Sequence, residues 1–220
     1  MISVEVLRRT ITISDAERRA LLADLLPAEL TAMKRFLREE DQRHFLVGRT
    51  TLRRVAAREL GIAPTAVPIT VGKFGKLSVP GAESNVSHSG DVVLVAVAHG
   101  AEIGIDVERE DAKHVESLRL DTFFSPREIR EHLALPAPLR VASFFHIWTS
   151  KEAVIKAVAT GLSLSLQAFD VAVDPREAPA LLAVRAPELE RPMSLARVEV
   201  PPGHVAALAV CARACRVVYS

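Results

Sequence analysis

The sequence is poor in aromatic residues and has no excess of charge of either sign. Eight phenylalanines, one tryptophan and one tyrosine occur among 220 residues, too few for a surface that stacks bases on aromatic side chains. The 28 basic and 27 acidic residues leave a formal net charge of +1, so no strong field is available to hold nucleic acid. We therefore predict no nucleic-acid partner and expect any anionic ligand to meet a local basic pocket.

Cysteines and long apolar runs are also scarce. A lone C-x₃-C pair in an apolar segment, Cys211 and Cys215, favours inert buried thiols over a metal or redox site. No run approaches the roughly 20 apolar residues that span a bilayer. The N-terminal MISVEVLRRTITI alternates like a strand and lacks the pattern of a signal peptide. These features predict a soluble, cytoplasmic protein without a membrane partner.

Helices and strands are predicted to alternate along the chain. Ser14 and Glu17 have the spacing of a capping box, and further helices are expected to end at Gly61 and Gly161. Ser125 followed by proline indicates another helix start. DVVLVAVAHG and AEIGIDVERE are typical of strands, VGKFGKLSVPG of a loop, and two or three strands are predicted at the C-terminus.

An internal similarity predicts two related α/β halves. A shift of 100 positions aligns FLVGRTTLRRVAARELGI with FHIWTSKEAVIKAVATGL. The polar residues do not repeat, because Leu52 stands opposite Glu152 and Ala56 stands opposite Lys156. One copy is therefore built for chemistry and the other is not.

The segment IGIDVE carries two carboxylates on one face of a predicted strand. Gly104, Asp106 and Glu108 share that face, because side chains alternate along a strand. Neighbouring carboxylates repel unless a cation lies between them, and oxygen ligands favour a hard ion such as Mg²⁺. A solvated strand end is the alternative, because the charged ERED continues the segment.

Two further segments carry groups suited to phosphate chemistry. Glu152 and Lys156 share one helical face, either as a base and an electrostatic stabiliser or as an exposed ion pair. NVSHSG precedes a predicted buried strand, and its small polar residues around His88 could donate to a phosphate or lie in a solvated loop. Lys76 in the glycine-rich segment could add positive charge.

In this order and spacing, NVSHSG, GIDVE, FFSPRE and WTSKEAVIKAVATGLSL resemble the 4′-phosphopantetheinyl transferases. The closest class is the larger, pseudo-dimeric type that activates peptide and polyketide synthases, and the similarity runs from about residue 41 through 169. The family moves phosphopantetheine from coenzyme A to a carrier-protein serine and releases adenosine 3′,5′-bisphosphate. The resemblance implies an α+β fold with the active site between two halves: residues 1–101 contact coenzyme A, and residues 102–220 carry the metal and catalytic groups.

The resemblance also implies roles for individual residues. Asp106, Glu108 and Glu152 are expected to hold Mg²⁺, or Mn²⁺, against the pyrophosphate. Glu152 is the expected base for the serine hydroxyl, and Lys156 is expected to stabilise or protonate the departing phosphate. Coenzyme A contacts are expected from Arg43, Lys76, Ser87, His88 and Lys151.

Some positions depart from the family pattern. His44 stands where many members have arginine, which leaves Arg43 as the nearest substitute, and the motif around Lys76 lacks the usual proline. Glu29 and Ala32 lie where some relatives place lysines for the 3′-phosphate. Glu128 matches a family glutamate that could orient Lys156 or another basic group.

The implied partners are carrier proteins of polyketide, nonribosomal peptide or fatty acid synthases, met by a monomer. We expect them to dock on the polar segment 109–120 and on Phe123 and Phe124. Two other classes stay open at this point: a different Mg²⁺-dependent phosphoryl enzyme such as a nuclease or phosphatase, and an idle module that binds a carrier protein or coenzyme A.

Overall fold

Strands and helices alternate along the whole chain in a computed structural model. It describes the backbone of residues 1–220 and every side chain except those of Lys73, His114, Glu116, Ser117 and Leu162. The helices are α1 (Asp15–Leu22), α2 (Pro27–Met33), α3 (Glu39–Leu60), α4 (Ala112–Ser117), α5 (Pro126–Ala134) and α6 (Ala137–Val158). The strands are β1 (Ile2–Thr10), β2 (Thr70–Val71), β3 (Leu77–Val79), β4 (Ala82–Ser89), β5 (Val92–Ala98), β6 (Ile103–Arg109), β7 (Phe169–Val171), β8 (Leu181–Val184), β9 (Ser194–Arg197), β10 (His204–Val210) and β11 (Cys215–Tyr219).

The strands form two main sheets that repeat one arrangement. The first has the order β11-β1-β5-β4-β3-β2 and the second the order β6-β10-β9, while β7 pairs with β8. The antiparallel sets β1-β5-β4 and β6-β10-β9 correspond, and α3 and α6 are both 22 residues long. The fold is therefore the predicted α+β arrangement of two similar halves. The last strand, β11, is the exception, because it pairs in parallel with β1 of the first sheet.

Most predicted helix ends are confirmed. The Ser14 side chain accepts from the Glu17 amide and the Glu17 carboxylate accepts from the Ser14 amide, which completes the capping box. Gly61 ends α3 in the left-handed conformation with a φ of 67°. The predicted end of α6 at Gly161 is wrong, because the helix already ends at Val158, with Ala159 at a φ of 53°. Over residues 169–219 the chain forms β7 to β11, more strands than predicted, because β7, β8 and β9 are too short to show alternation.

Packing of α6 on β6 depends on one glycine. Ile103, Ile105 and Val107 are fully buried on one face of β6, as predicted, and Gly104 lies on the other face against α6. A Cβ atom at Gly104 would lie 2.1 Å from the Ala153 carbonyl oxygen. The helix backbone therefore rests directly on the strand, which brings the polar face of α6 over the carboxylates of β6.

The two sheets meet along β4 and β6, where side chains of β4 take the place of a backbone ladder. The side-chain Oδ1 atom of Asn85 accepts from the Ile105 amide at 2.8 Å, and the Ser89 hydroxyl accepts from the Arg109 amide at 3.0 Å. Between these two contacts, the Ser87 hydroxyl accepts from the Val107 amide of β6 at 3.4 Å. Of the two alternatives for NVSHSG, the solvated loop is wrong, because residues 85–89 belong to β4 and their alternate polar side chains join the two halves.

The corresponding face of α3 in the first half is buried in an apolar core. Leu52 and Ala56, the counterparts of Glu152 and Lys156, are 0% and 2% exposed within the apolar core under β1 and β5. Among the helices described, none combines the length and hydropathy of a membrane span.

Candidate active site

Asp106 lies at the centre of the polar face between α6 and β6, and only 3% of it is exposed. Its Oδ1 atom accepts from the Lys156 ammonium at 2.6 Å and from the Ser87 hydroxyl at 2.9 Å. Its Oδ2 atom is buried without a hydrogen-bond partner among the side chains described. Buried carboxylate oxygens are almost always paired, so the free oxygen marks a place for a positively charged ligand.

The carboxylates of Glu108 and Glu152 lie close enough to Asp106 to repel it. Burial raises the pKa of Glu108, the charge of Asp106 raises it further, and the hydrogen bond from Ser89 opposes both. Burial also raises the pKa of Glu152, again with repulsion from Asp106. Lys156 offsets part of this repulsion. Three carboxylates thus share one ammonium group, which leaves the cluster short of positive charge.

The cluster is not a closed metal site as it stands. Among the side chains that the structure describes, no group of three or more His, Cys, Asp or Glu residues is arranged to hold a metal ion. Oxygen atoms are nevertheless the ligands that Mg²⁺ and Mn²⁺ prefer, and the free Oδ2 of Asp106 together with the repulsion from Glu108 and Glu152 suits a divalent cation. The residues present therefore fit such an ion.

Clefts of different character flank the carboxylates. A cavity of about 390 Å³ is lined by Lys76, Asn85, Glu152 and Lys156, and a neighbouring one of about 290 Å³ contains His44, Arg49, Lys76 and His88. On the Glu108 side, a cavity of about 290 Å³, here called the aromatic cleft, contains four aromatic side chains together with charged ones; the aromatic residues are Phe123, Phe144, Phe145 and Trp148. A further cavity of about 530 Å³ between α1, α3 and β1 contains none of Asp106, Glu108 and Glu152. The acidic cluster therefore separates a basic cleft from an aromatic one.

His44, and not Arg43, lies beside His88. The two imidazole rings stack with centroids 4.2 Å apart and planes 10° apart, and His44 Nε2 donates to the Gly90 carbonyl at 2.7 Å. Loss of solvent, followed by the charges of His44 and Lys156, lowers the pKa of His88 to about 4. Arg43 instead forms a surface ion pair with Glu39 at 2.8 Å. The structure thus places His44, and not the predicted substitute Arg43, next to His88.

Helical periodicity could have identified His44. Val47, Gly48 and Leu52 follow it at the spacing of a buried helical stripe, and all are buried in α3. Arg43 lies about 100° away around the helix, where it forms its ion pair with Glu39 of the acidic first turn.

Lys76 lies between the two halves of the protein, and its contact with coenzyme A stays a prediction. Its ammonium group is 3.4 Å from each of three acceptors, namely the Ile103 and Ala157 carbonyls and the Glu83 carboxylate. It therefore places positive charge at the C-terminal end of α6, where the helix dipole favours a cation.

Lys151 does not reach the clefts, so its predicted contact with coenzyme A is wrong. Its side chain is fully buried, and the ammonium donates to the carbonyls of Leu166 at 2.6 Å and Phe169 at 2.7 Å. The Glu128 carboxylate completes its shell at 2.9 Å. Burial lowers the pKa of Lys151, and the charge of Glu128 opposes that shift. Glu128 therefore orients a basic group, as expected, but the group is Lys151 and not Lys156.

Replacing Lys151 with methionine should destabilise the protein by about 3 kcal/mol, because it leaves the Glu128 carboxylate buried without its partner. Chemical denaturation of the folded variant measures this loss. Arg127→Met is the matched control, because its ion pair with Glu131 is exposed and should contribute about 0.5 kcal/mol or less. A Lys151→Met variant as stable as the control would contradict this prediction.

The predicted docking segment is partly inaccessible. Phe123 packs edge-on against Trp148 at 5.1 Å and lines the aromatic cavity, but Phe124 is fully buried in the core and cannot dock. The prediction for Phe124 is therefore wrong, because its side chain lies inside the core cluster against which Phe123 packs only in part. The side chains of His114, Glu116 and Ser117 within segment 109–120 lie outside the described residues.

Comparison with known proteins gives matches along most of the chain. Residues 102–209 match the 4′-phosphopantetheinyl transferase superfamily model, and residues 12–100 match the model of a 4′-phosphopantetheinyl transferase N-terminal domain. The chain is 29% identical over 203 residues to 4′-phosphopantetheinyl transferase Sfp of Bacillus subtilis, covering 91% of this chain and 87% of that protein. It is 35% identical over 170 residues to 4′-phosphopantetheinyl transferase HetI of a Nostoc species, covering 74% of this chain and 71% of that protein.

Proposed function

The chain belongs to the 4′-phosphopantetheinyl transferase superfamily, and from this premise we propose how its residues carry out the transfer. The protein transfers phosphopantetheine from coenzyme A to carrier proteins. The observation that supports the following mechanism is the Asp106 carboxylate, which has one oxygen held by Lys156 and Ser87 and the other free.

The acidic cluster is the proposed site for Mg²⁺, or Mn²⁺ in its place, with Asp106, Glu108 and Glu152 as its ligands. Such an ion supplies positive charge to the pyrophosphate oxygens of coenzyme A during the reaction. The three carboxylates repel the phosphates of coenzyme A wherever no cation lies between them. This repulsion orients the phosphates toward the basic cleft.

Glu152 is the proposed base. Among the described side chains none forms a hydrogen bond with its carboxylate, and burial raises its pKa toward the pH at which a base works well. It removes the proton of the carrier serine, directly or through a water molecule. The serine oxygen then forms a bond to the phosphorus that carries pantetheine, and the bond to the bridging oxygen of the pyrophosphate breaks.

Lys156 is the proposed stabiliser of the leaving group. Its ammonium lies at the border between Asp106 and the basic cleft, with 29% of the side chain exposed. From there it neutralises or protonates the departing adenosine 3′,5′-bisphosphate. The phosphates of coenzyme A are assigned to Lys76 and His88 with His44 beside them, because these groups line the adjoining cavity.

Lys156→Met should lower kcat about 10²-fold while changing KM for coenzyme A much less, because its charge acts as the leaving group departs. Steady-state kinetics with a carrier protein measures both constants. Lys156→Arg retains the charge and should recover part of the rate. If Lys156→Met loses stability but keeps its turnover, the lysine is only a structural partner of Asp106.

Glu152→Gln should stabilise the protein in metal-free buffer at pH 7. A carboxyl group whose pKa is raised by folding keeps its proton more firmly in the folded state, so its ionisation above pH ~4.5 lowers the free energy of unfolding. The gain in Tm over the parent should therefore vanish near pH 4. Added Mg²⁺ should raise the Tm of the parent more than that of the variant. The exposed Glu188→Gln change is the control, and an equal gain there would contradict the prediction.

The test of the function is mass spectrometry of an apo carrier protein incubated with coenzyme A and Mg²⁺. We expect a gain of one phosphopantetheine group per carrier, none in excess chelator, and none with a carrier whose acceptor serine is alanine. Hydrolysis of coenzyme A without a carrier would support a phosphatase instead. The carrier proteins to be compared come from polyketide, nonribosomal peptide and fatty acid synthases. The proposed docking region for them is the aromatic cleft with Phe123 and Trp148.

A further inference from the structure

Ser87 holds Asp106 from the neighbouring strand. Its hydroxyl oxygen accepts hydrogen bonds from the Val107 amide at 3.4 Å and from the Lys156 ammonium at 3.2 Å. Both groups can only donate, so the single hydroxyl proton is left for Asp106 Oδ1 at 2.9 Å. This bond decides which carboxylate oxygen is engaged and leaves Oδ2 as the free one.

Ser89 repeats this arrangement two residues later. Its hydroxyl oxygen accepts from the Arg109 amide at 3.0 Å, and its proton is directed to Glu108 Oε2 at 2.8 Å. The equal spacing follows from the strands, because alternate side chains of β4 meet alternate amides of β6. Each serine therefore couples the backbone of β6 to the carboxylate one residue earlier.

We propose that Ser87 and Ser89 are positioning residues that fix the carboxylates of Asp106 and Glu108 for the divalent cation. This rests on the metal site put forward under the proposed function. Neither serine contacts the ion in this assignment. Each removes one rotational freedom of a ligand, and each satisfies one carboxylate oxygen so that the other is available. The role proposed for Ser87 is thus exerted through Asp106.

Asn85 provides an internal control, because it makes the same contact with β6 but has no carboxylate to hold. Its side-chain oxygen accepts from the Ile105 amide at 2.8 Å, and the residue before Ile105 is Gly104. Loss of the Asn85 side chain therefore weakens the seam between the sheets as loss of a serine does, but leaves the orientation of the carboxylates unchanged.

The experiment is a titration of the full-length, metal-free protein with Mn²⁺ alone, followed by electron paramagnetic resonance. Ser87→Ala and Ser89→Ala should each raise the Kd for Mn²⁺ about 10-fold or more, the usual effect of losing a group that orients a ligand. Ser89→Thr keeps the hydroxyl and should stay within about 3-fold of the parent. Asn85→Ala should lower the Tm but keep the Kd within about 2-fold.

Serine variants that bind Mn²⁺ like the parent, while Asp106→Ala does not, would overturn the positioning role and leave the metal site intact. Asp106→Ala binding as tightly as the parent would overturn both proposals. Thermal unfolding verifies that each variant is folded. If an alanine variant does not fold, Ser87→Cys and Ser89→Cys retain the volume with a weaker donor, and an unchanged Kd in these would also overturn the positioning role.

Discussion

Asp106→Ala should lower the rate of phosphopantetheine transfer by at least about 10³-fold, with the fold preserved. The change removes the carboxylate that meets Lys156 at 2.6 Å and supplies the free oxygen of the site. It therefore abolishes the proposed ion ligand and releases the ammonium from its position, so two contributions to the rate are lost together. Single-turnover kinetics with saturating coenzyme A and carrier measures the chemical step without interference from weaker binding.

Stability is the necessary companion measurement for Asp106→Ala. Removal of one of three mutually repelling carboxylates offsets the loss of the ion pair, so the Tm in metal-free buffer should change by only a few degrees. Asp15→Ala is the control, because Asp15 is exposed on α1 of the other half, and its transfer rate should equal that of the parent. Transfer by Asp106→Ala within 10-fold of the parent would rule out the assigned centre.

Gly104→Ala should destabilise the protein by about 4–5 kcal/mol or more, the range reached only when packing is severely disturbed. The added methyl group would lie 2.1 Å from the Ala153 carbonyl oxygen and 2.3 Å from the Ala157 amide nitrogen. Both are backbone atoms of α6, so no side chain can rotate away to relieve the contact. The helix must move from β6, and Glu152 and Lys156 move with it.

Denaturant unfolding of Gly104→Ala, together with its transfer rate, measures both consequences. Gly81→Ala is the control for a glycine change, because Gly81 has a φ of 75° and open space around it, so only backbone strain of about 1–2 kcal/mol is expected. A Gly104→Ala variant as stable and as active as Gly81→Ala would contradict the close packing of helix and strand.

The central acidic cluster could be predicted from the sequence because simple periodicities determine it. Alternation along β6 places Asp106 and Glu108 on one face, and a four-residue step along α6 places Glu152 and Lys156 on another. The structure brings the two faces together. The two-half arrangement is also predictable, because the long helix within each half, α3 or α6, has a sequence similar to that of the other.

The wrong predictions have definite physical causes. Helix α6 has buried residues on nearly all sides, so its periodicity does not reveal which polar residue points into the core, and Lys151 could be recognised only with Glu128 in place. The β4 motif has the composition of a loop, because its serines and asparagine satisfy amides of another strand. Only the pairing of β4 with β6, which is distant in sequence, gives these residues their role.

The parallel pairing of β1 with β11 has a consequence for the order of folding. Val4 to Val6 lie between β5 and β11, so the first sheet is completed on one side by a strand that follows the whole second half in sequence. Such distant contacts form slowly, because a large loop must close first. The sheet of the first half therefore cannot be complete until β11 has been synthesised, and by then β6, the strand that carries Asp106 and Glu108, is already available to dock.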